Sequence, residues 1–315
     1  MINRRLLRIK VFKILFGRIY AGRESYQAAE KELLLSCEKT LDLLYFLLML
    51  PYELKKQAVD KIEIGKSKYH PTPEEANPNM RFVENRVSEM LSENKELIDY
   101  CTKRGLVWAS YKPFVKSLLT SLYSKDYFKE YMSSEKCDFN SDKALIISFF
   151  REELEDNDAL YEILEDMNIY WADDIAYVAD IVIKMLSHLK PSGKLKFPEI
   201  FLQEEDKEYA LRLLTHSMLH YDDYVSLLAK YVHNWEPERL ASTDTCLIVM
   251  GISEAVSFSS IPIKVTINEF VEISKYYSTQ NSKVFVNGIL EKVLFGLKEE
   301  GKIEKRGRGL VGSID

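Results

Sequence analysis

Glycine and proline are scarce, at 12 and 9 in 315 residues. These residues punctuate a chain into turns, so many short strands joined by tight turns are excluded and a mostly helical architecture is expected. The four cysteines, Cys37, Cys101, Cys137 and Cys246, are far apart and form no C-x-x-C pair. That excludes a disulfide scaffold and leaves buried, reduced thiols of a cytoplasmic protein as the expectation. Long apolar runs are missing too. The longest, Leu43 to Leu50, falls far short of the roughly 18 residues that cross a bilayer, and no cleavable leader opens the chain, so no membrane role is expected.

Catalytic signatures are also absent: there is no P-loop, no G-x-G-x-x-G, no G-x-S-x-G and no E-x-x-H pair. His216 and His220 have the i, i+4 spacing of metal ligands, but Ser217 stands where a zinc peptidase needs glutamate and no third ligand is near. Packing or surface histidines are the expectation. The adjacent pairs Glu152-Glu153 and Asp173-Asp174 point to different sides of a helix and make no acid/base dyad. The chain is expected to be no enzyme, with no cofactor and no metal.

What is present is an ordinary globular composition, 46% hydrophobic and 29% charged with a net charge of −6. That balance argues against a general nucleic-acid coat but leaves room for a local basic site. One opens the chain. Arg4, Arg5, Arg8, Lys10, Lys13 and Arg18 are the only charges of a helix expected over 4–20, and no acid precedes Glu24. Cations in a first turn oppose the helix dipole by about 0.3–1 kcal/mol each. Either these arginines are solvated or paired with acids elsewhere, or they are an electrostatic footprint for phosphate. The helix is apolar all round, through Leu6, Leu7, Ile9, Val11, Phe12, Ile14, Leu15, Phe16 and Ile19, so a central position is expected.

The last third carries the strongest periodicity. Ile267, Phe270, Val271 and Tyr277 share one helix face, and Phe285, Val286, Ile289, Leu290, Val293, Leu294 and Leu297 another. Thr266 and Glu269 suggest a capping-box start, and Asn281 or Ser282 an N-cap for the second helix. Asn287-Gly288 is a hairpin cue, but the helical period runs through it. Gly288 is therefore read as a mid-helix glycine kept for a close backbone approach. Between 25 and 197 the pattern stays helical around a proline-marked loop at 65–79, with a break at 190–198. Helices are expected at 26–50, 52–63, 80–92, 111–123, 125–132, 142–154, 159–167 and 173–189, the sixth capped by Asn140, Ser141 or Asp142. Residues 152–183 hold eleven acids and no Lys or Arg. That is a solvated face or a docking surface for a basic partner. Trp108, Trp171 and Trp235 are expected in cores, Trp235 at a helix–loop corner. The end, 301–315, is expected to be a basic disordered tail.

Several of these residues together resemble the NusB family of transcription antitermination factors. They are the opening Arg4-Arg5-x-x-Arg8-x-x-Val11-Phe12-x-x-Leu15-Phe16, then Asn234-Trp235, Arg239-Leu240, Asp244 and Glu254, then Val265-Thr-Ile-Asn-Glu269, Val271-Glu-Ile-Ser-Lys275 and Phe285-Val-Asn-Gly-Ile-Leu290. The departures are Leu7 for a small residue, Lys13 for glutamine, Phe16 for tyrosine and Val249 for arginine. The resemblance implies an all-α fold, a NusB-like helical bundle made by the N-terminal helix (1–24) and by 198–300, with 25–197 as a helical insertion. It implies binding of boxA-type single-stranded RNA of ribosomal transcripts together with ribosomal protein NusE, within an RNA polymerase antitermination complex. The RNA-contacting positions it implies are Arg4, Arg5, Arg8, Lys13, Phe16, Asn281, Lys283 and Phe285. The alternative is a non-enzymatic scaffold that docks a basic partner without recognising RNA. The RNA-guiding domain of an rRNA methyltransferase would need a cofactor-binding α/β domain downstream.

Overall fold

The structure, a computed structural model, describes residues 1–22, 25–231 and 241–306. Arg23, Glu24, Asn234, Trp235, Arg239, Leu240 and the chain beyond Arg306 lie outside the described residues. The protein is all-α: among the described residues there are α-helices, one 3₁₀ turn and no strand, with one isolated bridge between Ile2 and Phe201. The chain divides into two compact units, one formed by Met1–Cys37 with Glu199–Asp315 and the other by Glu38–Pro198. The first helix, α1, is Arg4–Tyr20, and α2 is Tyr26–Leu48.

The second unit continues with α3 (Leu50–Lys66), α4 (Pro73–Ala76), α5 (Arg86–Ser92), α6 (Lys95–Arg104) and a 3₁₀ turn (Trp108–Tyr111). It closes with α7 (Lys112–Ser124), α8 (Asp126–Ser133), α9 (Phe139–Glu152), α10 (Asp158–Met167) and α11 (Ile175–Ser187). Its core is aromatic. Phe46 stacks on Trp108 with ring centroids 4.0 Å apart and lies 5.6 Å from Trp171. Both indoles are buried, and their N–H groups donate to the carbonyls of Phe46 and Lys39. Helix α6 has no counterpart in the expected elements because it is short and polar; Asn94 caps its start and Gly105, at φ 68°, its end. Helix α9 starts earlier than expected, capped by Asp138 in a capping box with Ser141. Asp142 is instead buried, accepting from the Arg86 backbone and the Tyr131 hydroxyl. Two acids of the 152–183 segment are likewise internal: Glu153 pairs with Lys125, and Asp174 accepts from Thr40.

The first unit continues with α12 (Glu204–Leu219), α13 (Tyr221–Tyr231), α14 (Ser242–Ser257), α15 (Ile263–Tyr277) and α16 (Ser282–Glu299). The helix buried on every side is α14, not α1: residues from Cys246 to Ala255 are all inaccessible, and α1, α12, α13, α15 and α16 pack around them. Helix α1 keeps an exposed edge at Arg4, Arg5, Gly17 and Tyr20. Large core side chains such as Phe270, Leu290 and Ile252 are fully buried, at about 1.5–3 kcal/mol apiece.

Charge enters this core at one place. Arg8 is buried and donates to the wholly buried Glu254 at 2.7 Å. Glu254 also accepts from Thr266 Oγ1 at 2.6 Å and from the Tyr209 hydroxyl. Three donors from three helices thus satisfy one carboxylate, the condition for a buried ion to be tolerated. This overturns the capping-box expectation. Helix α15 starts at Ile263 after Pro262, and Thr266, fully buried a turn inside it, serves the ion pair.

Three other expectations change. Gly288 has nothing within 4 Å of where a Cβ would stand, so no close approach explains it. Gly251 is crowded instead: its Cβ would meet Leu290 at 2.7 Å and Phe270 at 3.4 Å. Residues 301–306 are not a free tail, since Ile303 is buried and Lys305 Nζ donates to the carbonyls of Ala255 and Phe258. Among the cysteines Cys137 is exposed, not buried, while burial pushes the Cys101 thiol up to about 12. His216 and His220 are packing partners, 4.5 Å between ring centroids, and burial, then His220 and Arg212, lowers His216 to about 4. No helix among the described residues is long and apolar enough to cross a membrane.

Arg8→Ala leaves Glu254 buried without its counter-charge and is expected to cost about 3–5 kcal/mol in urea unfolding; a loss below about 1 kcal/mol would contradict the buried pair. The two glycines should respond oppositely. Gly288→Ala is expected to stabilise by about 0.5–1 kcal/mol, whereas Gly251→Ala is expected to destabilise by about 1–3 kcal/mol because Leu290 has no room to move. Both follow from thermal or urea melts.

Candidate nucleic-acid interface

The start of α1 is fixed by Asn3, whose side chain accepts from the Leu6 N–H at 2.9 Å. Arg4 and Arg5 therefore fall in the first turn, at the positive end of the helix. The mismatch with the dipole is offset from outside the helix. Arg4 Nε donates to Asp206 of α12 at 3.0 Å, with its guanidinium 5.0 Å from the Tyr209 ring centroid. Arg5 donates from Nε and Nη2 to Glu269 of α15 at 3.0 and 2.7 Å. The hydrogen bond from Arg5 holds the Glu269 carboxyl below its ordinary range, against its partial burial. Both guanidiniums remain solvent-facing, and each has five N–H donors, more than these contacts occupy.

Arg8 differs. Three and four residues beyond Arg5 and Arg4, it shares their face but lies deeper, enclosed by Glu254 and Glu269. It is 3% exposed and its guanidinium is paired with both carboxylates, so less of its charge is open to the groove than that of Arg4 and Arg5. Arg4, Arg5, Arg8, Pro262, Val265 and Glu269 line an open groove of ≈ 540 Å³.

Further along α1, Phe12 meets Tyr277 at 5.5 Å between centroids, and the Lys13 ammonium lies 5.7 Å from the same ring. Phe16 is half-buried between Phe12 and Tyr20, at 5.9 and 4.6 Å. Since Arg5 meets Glu269 and Phe12 meets Tyr277, α1 and α15 run side by side in the same direction. The eight steps from Glu269 to Tyr277 rise about 12 Å. The chain then turns into the loop at 278–281.

Asp244, buried on the first turn of α14, shapes that loop. It accepts from the hydroxyls of Ser278 at 2.6 Å and Ser282 at 2.7 Å, and Ser282 in turn receives the Thr279 N–H at 3.1 Å. Asn281 stands at the N-cap position, exposed, and its side chain makes no capping bond. Lys283 is exposed, and no acid occupies the first turn of α16. Phe285 is half-buried. The arginines and the Asn281–Lys283 pair are thus not in contact; they flank the stretch of α15 between them.

One residue of this surface escaped the sequence reading. Tyr276 is 82% exposed. Its position off the Ile267–Phe270–Tyr277 face was the available signal. The surface offers exposed cations, an exposed ring and an unpaired amide, the groups that hold a single strand by phosphate contact, stacking and base-edge hydrogen bonds.

Comparison with known proteins bears on this unit. The NusB family profile matches residues 184–295, which takes in α12 through most of α16 and not α1. A transcription antitermination protein NusB from Salinibacter ruber is 35% identical over 106 residues, 34% of this chain and 66% of that protein. The NusB of Chloroherpeton thalassium is 38% identical over 105 residues, 33% of this chain and 50% of the relative. The NusB of Methylacidiphilum infernorum is 42% identical over 101 residues, 32% of this chain and 68% of the relative. The chain therefore spans half to about two thirds of the curated relatives it matches. No solved structure matches. With this degree of identity over two thirds of a relative, and with the helical unit and fixed positions described above, the chain belongs to the NusB family.

Proposed function

We propose that this chain is an RNA-binding transcription antitermination factor that holds boxA-type single-stranded RNA of ribosomal transcripts, together with ribosomal protein NusE, in the cytoplasm as part of an RNA polymerase antitermination complex. The observation that carries the reading is the juxtaposition along α1 and α15 of exposed Arg4 and Arg5, exposed Tyr276, and the Asn281–Lys283 tip of α16. Phosphates would run past Arg4, Arg5 and Lys283, with Lys13 adding charge beside Tyr277. Asn281 would read a base edge, and Tyr276 would stack. Phe16 and Phe285 are half-buried, with part of each ring left to meet a base. The role is binding, not catalysis.

A second reading has its own support. Arg4, Arg5 and Arg8 each already face a carboxylate, which favours a protein scaffold in which RNA is incidental and an exposed acidic surface at 152–183 docks a basic partner. RNA titration separates the two. With Z phosphate contacts to a single strand, log K falls against log salt with slope about −0.7Z. Arg4→Ala with Arg5→Ala is expected to weaken binding of boxA-like RNA and to reduce that slope by about 1.4. An unchanged slope would remove RNA from these residues and leave the scaffold reading.

A further inference from the structure

The solvent-facing stripe of α1 does not have the composition of an ordinary helix surface. At about 100° per residue, Arg5, Ile9, Lys13, Phe16 and Tyr20 fall within about 80° of one another around the helix. Each is exposed or half-buried, whereas Arg8, Phe12 and Leu15 beside them are buried. The stripe thus carries two cations, two aromatic rings and no acid. A solvated face usually mixes charges of both signs, and a single exposed ring needs no explanation. Two rings one helical turn apart, in line with cations, do.

Tyr20 is the last residue of α1 and is 56% exposed. Its ring lies 4.6 Å from that of Phe16 between centroids, with the planes tilted by 37°. Phe16 rests in turn on the buried Phe12 at 5.9 Å, and Phe12 on Tyr277 at 5.5 Å. Tyr20 is therefore backed on one side by a chain of rings that leads into the core, and the rest of it meets solvent. Gly17 stands between Phe16 and Tyr20 in sequence and adds no side chain. Nothing lies within 4 Å of where its Cβ would be, so the helix backbone beside the two rings is open to a planar group.

We propose that Tyr20, seated on Phe16, is a base-stacking residue, and that the single-stranded RNA track continues along the whole of α1 to its C-terminal end. The proposal rests on the RNA-binding reading above and lengthens that site. The fifteen steps from Arg5 to Tyr20 rise about 22 Å. Charge selects the occupant. Cations interleaved with rings, and no carboxylate on the stripe, suit a polyanion that carries flat bases. A ring already held by its neighbours also has less freedom to lose when a base stacks on it.

Binding of a labelled boxA-like RNA to the full chain, followed by fluorescence anisotropy across a salt series, tests this. Tyr20→Ala should weaken binding at least about fivefold, the low end of what the loss of one base–aromatic stack produces. Its salt slope should stay that of the unaltered chain, because no cation is removed. Tyr20→Phe should bind as the unaltered chain does. Tyr20→Leu keeps apolar cover over Phe16 without an aromatic face and should lose as much as Tyr20→Ala. Full binding by Tyr20→Leu would reduce Tyr20 to a cover for Phe16 and overturn the proposal. An equal loss in Tyr20→Phe would make the hydroxyl the contact, and a shallower salt slope in Tyr20→Ala would make the ring a prop for a cation; either result contradicts stacking. Arg4→Ala with Arg5→Ala reports on the groove itself. If that variant weakens binding while Tyr20→Ala leaves it unchanged, the proposal fails, the stripe is left to a protein partner, and the RNA reading stands. No binding by the unaltered chain would remove both together.

Discussion

The buried ion pair of Arg8 and Glu254 is the constraint on which the first unit depends. Two charges in a dry core cost several kcal/mol each in lost hydration, so they persist only where attraction and hydrogen bonds offset that cost. Here Tyr209 and Thr266 supply the extra donors, and the single carboxylate ties α1 to α12, α14 and α15. The consequence reaches the surface through helical geometry. Residues three and four positions before Arg8 share its face, so fixing Arg8 inward places Arg5 and Arg4 at the boundary with solvent. Glu269, shared by Arg5 and Arg8, links the buried and exposed parts of the set.

A second carboxylate on the same helix does comparable work at the opposite end. Asp244 lies ten residues before Glu254, about 15 Å along α14. It fixes the loop ahead of α16 through the hydroxyls of Ser278 and Ser282. The most buried helix of the unit thus carries, near its two ends, the acids that hold the two halves of the candidate interface. Neither acid faces the surface it organises. The chain after α16 returns to the same helix a third time, through Lys305 at its C-terminal carbonyls.

Much of the fold could be read from the sequence, for identifiable reasons. The i, i+3, i+4 spacing of Phe270 or of Val286, Leu290 and Val293 reports burial on one face, and those helices stand where the spacing put them. What escaped was non-local. Thr266 and Glu269 have the spacing of a capping box, and only the partner Glu254, twelve residues before Thr266 in sequence, reveals a different use. Arg8 looks like Arg4 and Arg5 in a list of cations; its burial depends on what α12, α14 and α15 bring to it. Gly288 and Gly251 are alike in sequence, and only the neighbouring Leu290 distinguishes them. Helix α6 was too short and polar for periodicity to register, and its caps, Asn94 and Gly105, were its legible marks.

The central claim is that RNA runs along the α1–α15 edge of the first unit. Photo-cross-linking of a thiouridine-substituted boxA-like RNA to the full chain, with the joined peptides identified by mass spectrometry, addresses it most directly. Cross-links at Tyr276 and in the peptides that carry Arg4–Arg5 and Asn281–Lys283 are the predicted result. Cross-links confined to residues 38–198 would contradict it.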